Sequence, residues 1–405
     1  MKDPVIIVGA GPVGVTLAEM LSQNGITTIL LEKAKEPNRE WRASTFHAGT
    51  LELLEETGVV EEMIKRGIKA DKVQYRDRNE GLYAEFDFNL LKDETKYPYR
   101  LQLSQSSYVQ IVYERLSKRN NIEIKFESEV IGYEHSESGV MVSVQTPNGI
   151  EEIRGAYLLG TDGGKSIIRK KLGVTFDGYT HEERWLLVGT PKSFLEYQSD
   201  LAYVNYISDP EQFLFILHVP GAWRFLYPVP PEVSDEVALH PGNIQKTMQK
   251  ALNTTDTFPI VENTIYRIHQ RVAGEFYKGR VVLVGDAAHL NSPMGGLGLN
   301  SGIHDAIDLS KRIIRIYHEN ANATDEFKQY NELRRRVATD YVKQISEKNT
   351  RTVKEKDPKE RIKLQQEMAD QANDPKRAKE WMLRSAMIAS VREQGIGVPP
   401  KSVSK

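Results

Sequence analysis

The 405-residue chain contains no cysteine. That removes disulfides, thiolate nucleophiles and sulfur-ligated metals together, and it fits a reducing cytoplasm. Any redox chemistry must then come from a bound cofactor. Net charge is also lacking: 54 Lys and Arg against 56 Asp and Glu leave −2, which gives no basic footprint, and no nucleic acid is expected as a partner. Long apolar runs are missing too. No stretch approaches the roughly eighteen residues a membrane span needs, and Val5 to Val8 is broken by glycine too soon to be a signal-peptide core. The histidines and acids match no ligand spacing, so no metal is expected. These absences leave a soluble, cytoplasmic enzyme or binding protein, with peripheral membrane contact left open and enough chain for two domains or one large intertwined core.

The first residues present, "DPVIIVGAGPVGVTLAEMLSQNGITTILLEK", are more specific. Val5 to Val8 reads as a parallel strand buried on both faces. Gly9 permits a tight turn, Gly11 leaves room for a pyrophosphate against the backbone, and Gly14 lets the next helix pack against the strand. That helix, about Pro12 to Asn24, aims its positive N-terminal end at the phosphates, with Val13 in its first turn. Gly25 stops it. A second strand, Thr27 to Leu31, delivers Glu32 to where a carboxylate accepts bonds from an adenosine ribose, with Lys33 beside it. An acid there repels a 2′-phosphate, so NADP is disfavoured in this pocket while NAD and FAD both remain.

Two further strand-to-helix junctions follow. In "GRVVLVGDAAHLNSPMGGLGLNSGIHDAIDLSKRI" a strand from Val281 to Val284 ends on Gly285-Asp286, and a glycine-rich loop enters a helix from about Leu299 to Tyr317. An extended FAD suits this arrangement. Asp286 can meet the ribityl chain, and the backbone at Leu299 and Asn300 can face the pyrimidine edge, where reduction places negative charge. In "AYLLGTDGGKSIIRKKLG" a strand ends on Asp162, with Ser166 and Arg169 in the next turn.

In this order the three motifs resemble the class A, single-component flavin-dependent aromatic hydroxylases, the family of para-hydroxybenzoate hydroxylase. "GAGPVG" is similar to its FAD fingerprint, "GTDGGKSIIR" to its DG motif and "GDAAHLNSPMGGLGLNSGIHDA" to its GD motif and flavin loop. The resemblance spans about residues 1 to 320. It implies flavin contacts from Arg42, Gln105, Asp162, Pro293 and Gly298, and an α/β (α+β) fold. That fold has a Rossmann-like, parallel-sheet FAD domain interleaved with an antiparallel substrate domain, then C-terminal helices. The implied pieces are 1–75, 101–172 and 271–320 for FAD, 76–100 and 173–270 for substrate, and 321–405 for the helices. The implied reaction is NAD(P)H-dependent hydroxylation of a phenolic or N-heteroaromatic ring through a flavin C4a-hydroperoxide. FAD is the resident cofactor, NADH or NADPH the transient reductant, and dioxygen the co-substrate. Alternatives are a flavin reductase or halogenase of the same superfamily, or an FAD-binding redox sensor without turnover.

From about Gly173 to Pro259 the sequence turns aromatic and β-branched, with turns at Asp209-Pro210 and Pro220-Gly221. An antiparallel sheet is expected, and the resemblance implies that it roofs the flavin and walls the substrate cavity. Its cavity-wall candidates are Tyr203, Tyr206, Phe215, His218, Arg224, Phe225 and Tyr227, joined by Pro293, with His218 as candidate base for the phenol proton. His289 reads as structural rather than catalytic. Two late helices begin on Asp357-Pro358 and Asp374-Pro375, as N-cap and first-turn residues. Their apolar face of Trp381, Leu383, Met387 and Ile388 should cover the sheet or a homodimer interface.

Overall fold

The computed structural model describes residues 3–37, 43–209 and 211–396. A six-stranded sheet runs Tyr277–Lys278, Val281–Leu283, Tyr157–Gly160, Val5–Val8, Thr28–Leu31, Ile122–Lys125. All neighbours are parallel except the first pair. Parallel strands need both faces covered, and Val5 to Val8 is wholly buried. The helices Pro12–Gln23 and Leu297–His318 pack together over this sheet.

The second sheet has eight strands in the order His289–Leu290, Glu262–Ala273, Phe176–Thr190, Ala222–Val229, Leu214–Val219, Val204–Ser208, Lys72–Asp77, Gly81–Asp87. Its neighbours are antiparallel, save that Val204–Ser208 lies parallel to Lys72–Asp77. A parallel pair needs a long crossover. Here the chain returns to the FAD-type sheet between the two strands.

Strand alternation gives this sheet two different faces. The inner one carries Tyr75, Trp185, Tyr206, Phe215 and Leu226 and meets Met294 and the C-terminal helices. The outer one carries Leu186, Ile207, Ile216, Phe225 and Tyr227. It is covered by Ile244, Met248 and Leu252 of the helix Pro241–Leu252.

Asp357 and Asp374 cap their helices, each accepting two backbone N–H bonds, with proline at the first helical position. Trp381 stacks on Phe86 at 3.9 Å between ring centroids, so the C-terminal apolar face covers the sheet.

Several bounds differ from the sequence reading. The first helix ends at Gln23, and the flavin-loop helix starts at Leu297 because Gly296, at φ +68°, caps it. The roof sheet already takes chain at Lys72, runs past the expected bound to Ala273, and takes chain again at His289–Leu290. A separate antiparallel sheet of Glu129–Ser136, Gly139–Thr146 and Gly149–Gly155 lies within the middle FAD segment. The Pro220-Gly221 turn joins paired Val219 and Ala222, whereas Pro210 lies outside the described residues.

Candidate active site

The three junctions converge. At the first, Gly9 has φ +103°, and a Cβ there would lie 2.6 Å from the Thr161 carbonyl oxygen. A Cβ on Gly14 would lie 1.9 Å from the Gly9 carbonyl oxygen. Gly11 differs: a Cβ there would meet nothing within 4 Å. Close packing thus demands Gly9 and Gly14, while Gly11 borders open space above the helix N-terminus, with Pro12 as the first helical residue. This is a cradle that a diphosphate fits. Glu32 is drawn to it, accepting from the Ala10 N–H at 2.8 Å and the Ala34 N–H at 2.9 Å. Each oxygen keeps a further lone pair. Lys33 is exposed beside it.

Val13 joins this junction to the third. A Cβ on Gly285 or on Gly302 would lie 2.8 Å from Val13 Cγ2, so two glycines bring the later turn and helix onto the first helix. Asp286 follows in an exposed single turn, Gly285–Ala287. Asp162, at the second junction, accepts from Ser166 Oγ at 2.6 Å and from the N–H groups of Ile167 and Ile168 at 2.7 and 3.2 Å. It therefore holds the first turn of the short helix Ile167–Leu172, whose N-cap is Ser166. Gln105 begins the helix Gln105–Leu116 and is half-buried. Arg42 lies outside the described residues.

The flavin loop is braced from behind. Asn300 accepts from the His47 N–H at 2.9 Å and from Thr50 Oγ1 at 2.7 Å. Its amide donates to the carbonyls of Thr45 and Gly296 at 2.8 and 2.6 Å. Both ends of that side chain hold protein, so what Asn300 can offer a cofactor is its backbone at the helix N-terminus, beside Gly298 and Leu299. His47 Nε2 meets the Gly295 carbonyl at 2.8 Å. Burial, then the charge of Arg100, lowers the pKa of His47, and burial, then Arg334, brings His304 down to about 3. Both imidazoles are therefore neutral. Pro293 is half-buried in the loop and accepts from the Gly296 N–H at 2.9 Å.

His289 is 2% exposed, with Nε2 2.7 Å from Asp305 Oδ2 and its ring stacked on Phe276. Its structural reading fits this placement.

The sheet divides the proposed substrate residues. Tyr206 and Phe215 lie on the inner face, stacked at 4.6 Å, and Tyr75 stacks on Tyr206 at 4.9 Å. Arg224 is on that face too, 1% exposed, with Nη2 3.3 Å from Glu262 Oε2. Burial lowers the Arg224 guanidinium and raises the Glu262 carboxyl. His218 is a correction. It shares its strand face with Leu214 and Ile216 of the outer cluster and stacks on Trp223 at 4.6 Å, which places its ring on the face opposite Tyr206 and Phe215 and gives no support to a role as base there. Phe225 and Tyr227 are outer-face residues as well. Tyr203 packs with both clusters and contacts the His218 ring at 4.7 Å.

Sequence reasoning passed over Arg100 and Tyr75 on the inner side of this sheet, and took Trp381 only as part of a covering face. Arg100 had a signal, as a lone cation in the alternating stretch "YRLQL". Tyr75 and Trp381 come from distant segments, and only the sheet order brings them together.

Comparison with known proteins identifies the family. The family described as FAD binding domain matches residues 2–345. The para-nitrophenol 4-monooxygenase of Pseudomonas sp. strain WBC-3 is 33% identical over 364 residues, covering 89% of this chain and 90% of that protein. The chain belongs to the FAD-dependent aromatic hydroxylases. Another relative is the 6-hydroxy-3-succinoylpyridine 3-monooxygenase of Pseudomonas putida strain DSM 28022 / S16, 30% identical over 79% of this chain and 81% of that one. The crystal structure of p-nitrophenol 4-monooxygenase from Pseudomonas putida DLL-E4 superposes with a TM-score of 0.90 at 29% identity, over 95% of this chain and 98% of that one. The protein is thus a flavin-dependent aromatic monooxygenase, and reductase, halogenase or sensor readings find no support in these matches. Among the described residues no helix is long and apolar enough to cross a membrane.

Proposed function

We propose that this hydroxylase acts on a small phenol or hydroxylated N-heteroaromatic ring, using NADH or NADPH as transient reductant in a reducing cytoplasm. The observation that carries this is the inner face of the roof sheet. There Tyr75, Tyr206 and Phe215 form a continuous buried stack in the same apolar cluster as Met294 of the flavin loop, a wall that suits a flat ring with few polar substituents. The named substrates of the two relatives, a nitrophenol and a hydroxypyridine, are rings of that kind.

FAD would be held by the Gly9–Gly14 turn and Glu32 at its adenosine end, by Asp286 along its middle, and by the N-terminal amides of the helix Leu297–His318 at its ring. When bound, FAD supplies the two-electron chemistry that activates dioxygen. This chain's residues do the rest. The helix N-terminus favours negative charge beside it, Asn300 and His47 hold the loop in one shape, and the sheet with Trp381 keeps water from the ring. The overall balance is one dioxygen, one NAD(P)H and one proton consumed per hydroxyl inserted, with NAD(P)⁺ and water released.

The test is to load purified protein with FAD and follow NADH and NADPH oxidation with 4-nitrophenol, 4-hydroxybenzoate and 3-hydroxypyridine. Products are analysed by mass spectrometry under labelled dioxygen. Stimulated oxidation with a labelled hydroxyl in the product is expected. FAD-loaded protein that no phenol or hydroxypyridine stimulates overturns the reading.

A further inference from the structure

Arg100 is 2% exposed and begins the strand Arg100–Gln102, where it pairs with Ala70. Other deeply buried arginines of this protein have partners: Arg334 has Asp305, Arg312 has Asp308 and Glu326, and Arg169 donates to two carbonyl oxygens. Arg100 has no acid within ion-pair reach among the described residues, and its Nε is sealed from solvent without an acceptor. Its nearest aromatic is the Phe88 ring, 5.7 Å away. A guanidinium buried alone costs several kcal/mol, so this position calls for an anion that comes and goes.

Its surroundings say which one. The strand Arg100–Gln102 is paired on one side with Thr45–Phe46, next to His47, which holds the flavin loop at Gly295, and on the other with Ile68–Ala70, which leads into the strand of Tyr75, stacked on Tyr206. In keeping with that placement, the charge of Arg100 pulls down both His47, already lowered by burial, and Tyr75, which burial raises. Both groups feel its charge, and the Tyr206 hydroxyl is itself buried without a partner. Arg100 thus lies between the flavin loop and the aromatic wall, where the ring to be hydroxylated must sit.

We propose that Arg100, assisted by the Tyr206 hydroxyl, seats the ionised oxygen of the phenolic substrate, so that the site selects the phenolate over the phenol. The inference rests on the phenol-hydroxylase reading. A phenolate is the more electron-rich ring, and binding it at a fixed cation both orients the ring and keeps it ionised at pH values where the free phenol is protonated. No proton then has to be taken up by His218, which faces the other way.

The test uses FAD-loaded protein and 4-nitrophenol, whose visible absorbance differs between phenol and phenolate. Binding is followed across the pH range in which the free ligand titrates, in wild type, Arg100→Lys and Arg100→Met. In wild type the bound ligand should carry the phenolate spectrum below the pH at which the free ligand loses it. Arg100→Met should weaken binding about 10- to 100-fold, as expected for a lost charge-assisted bond, and bind the neutral form. Arg100→Lys should retain part of both. FAD affinity should change less than about twofold. If Arg100→Met binds the phenolate as wild type does, or loses FAD while the loaded fraction binds phenolate normally, the proposal is overturned. Should Arg100→Met fail to fold, nitrobenzene replaces it as probe on wild type. Affinity within about threefold of that for 4-nitrophenolate would equally reject the seat. Wild type that binds no phenol at all instead overturns the functional reading, so the two failures are distinct.

Discussion

Asp305 joins His289 to Arg334, taking the imidazole Nε2 on one carboxylate oxygen at 2.7 Å and the guanidinium Nε on the other at 2.5 Å. The first oxygen also accepts the Gly285 N–H at 3.2 Å. One fully buried carboxylate thus ties the turn that presents Asp286 to the helices behind it. Burial alone would raise Asp305, but Arg334 and His289 outweigh it and hold the carboxyl below its usual range. Replacing it with Asn leaves Arg334 buried without a counter-charge, at a cost of roughly 3–5 kcal/mol. Asp305→Asn should therefore lower the urea midpoint of the apoprotein and cut FAD retention. A midpoint equal to wild type would show that the triad carries no net stability.

The two glycines of the first turn should separate folding from cofactor binding. Gly14→Ala puts a Cβ 1.9 Å from the Gly9 carbonyl oxygen, and overpacking of that kind costs about 3 kcal/mol. Gly11 has φ −72° and open space where a Cβ would go, so Gly11→Ala should leave the apoprotein within about 1 kcal/mol of wild type. Its FAD affinity should nevertheless fall, because the methyl occupies the diphosphate's place. Calorimetric titration of FAD into both apoproteins checks this. Unchanged FAD affinity in Gly11→Ala would place the diphosphate elsewhere.

The legibility of the molecule divides along local and non-local lines. The first junction, the proline-led helices and their aspartate caps depend on residues adjacent in sequence, where turn and capping chemistry operates, and the structure has them within a residue or so. The roof sheet was legible as a sheet but not as two faces. His218, Phe225 and Tyr227 fall outside because strand alternation is set by register with neighbours several dozen residues away, such as Tyr227 against Leu186 and Arg224 against Gly189 by way of a strand that also pairs with Glu262. Arg100 was missed for the same reason. Its isolation is a property of what surrounds it, not of the strand that carries it.

Two neutral histidines predict the acid limb of stability. His47 donates from Nε2 to Gly295 and leaves Nδ1 buried without a partner, and His304 Nδ1 is likewise unpartnered. Both have folded pKa values below their unfolded one, so the unfolded chain binds more protons as pH drops below about 6.5. Their contribution is complete near neutrality and is lost as pH falls toward 3, the value for His304. The slope should approach ~2.7 kcal/mol per pH unit when both act, at ~1.4 each. Asp305, with its depressed pKa, adds its own loss only below about pH 4. Urea unfolding from pH 7.5 to 4.5 measures the slope, and a flat profile down to pH 5 rules out buried neutral imidazoles.

His218 and Tyr206 offer the sharpest contrast, since both are polar aromatics of neighbouring strands on opposite faces. The His218 ring lies against Trp223 and Tyr203, and burial lowers its pKa. His218→Ala removes an aromatic pair worth about 0.5–1.5 kcal/mol, so a comparable drop in stability is expected. The coupled rate of NAD(P)H oxidation and the KM for the phenol should match wild type at equal FAD occupancy. Tyr206→Phe keeps the stack with Tyr75 and Phe215 but deletes a hydroxyl that has no protein partner. It should cost little stability while raising the KM for the phenol roughly 3- to 10-fold, the loss of one hydrogen bond. Steady-state kinetics on the two variants decide the matter. A KM defect in His218→Ala with none in Tyr206→Phe would mean that substrate binds against the outer face, and the inner aromatic wall would lose its role.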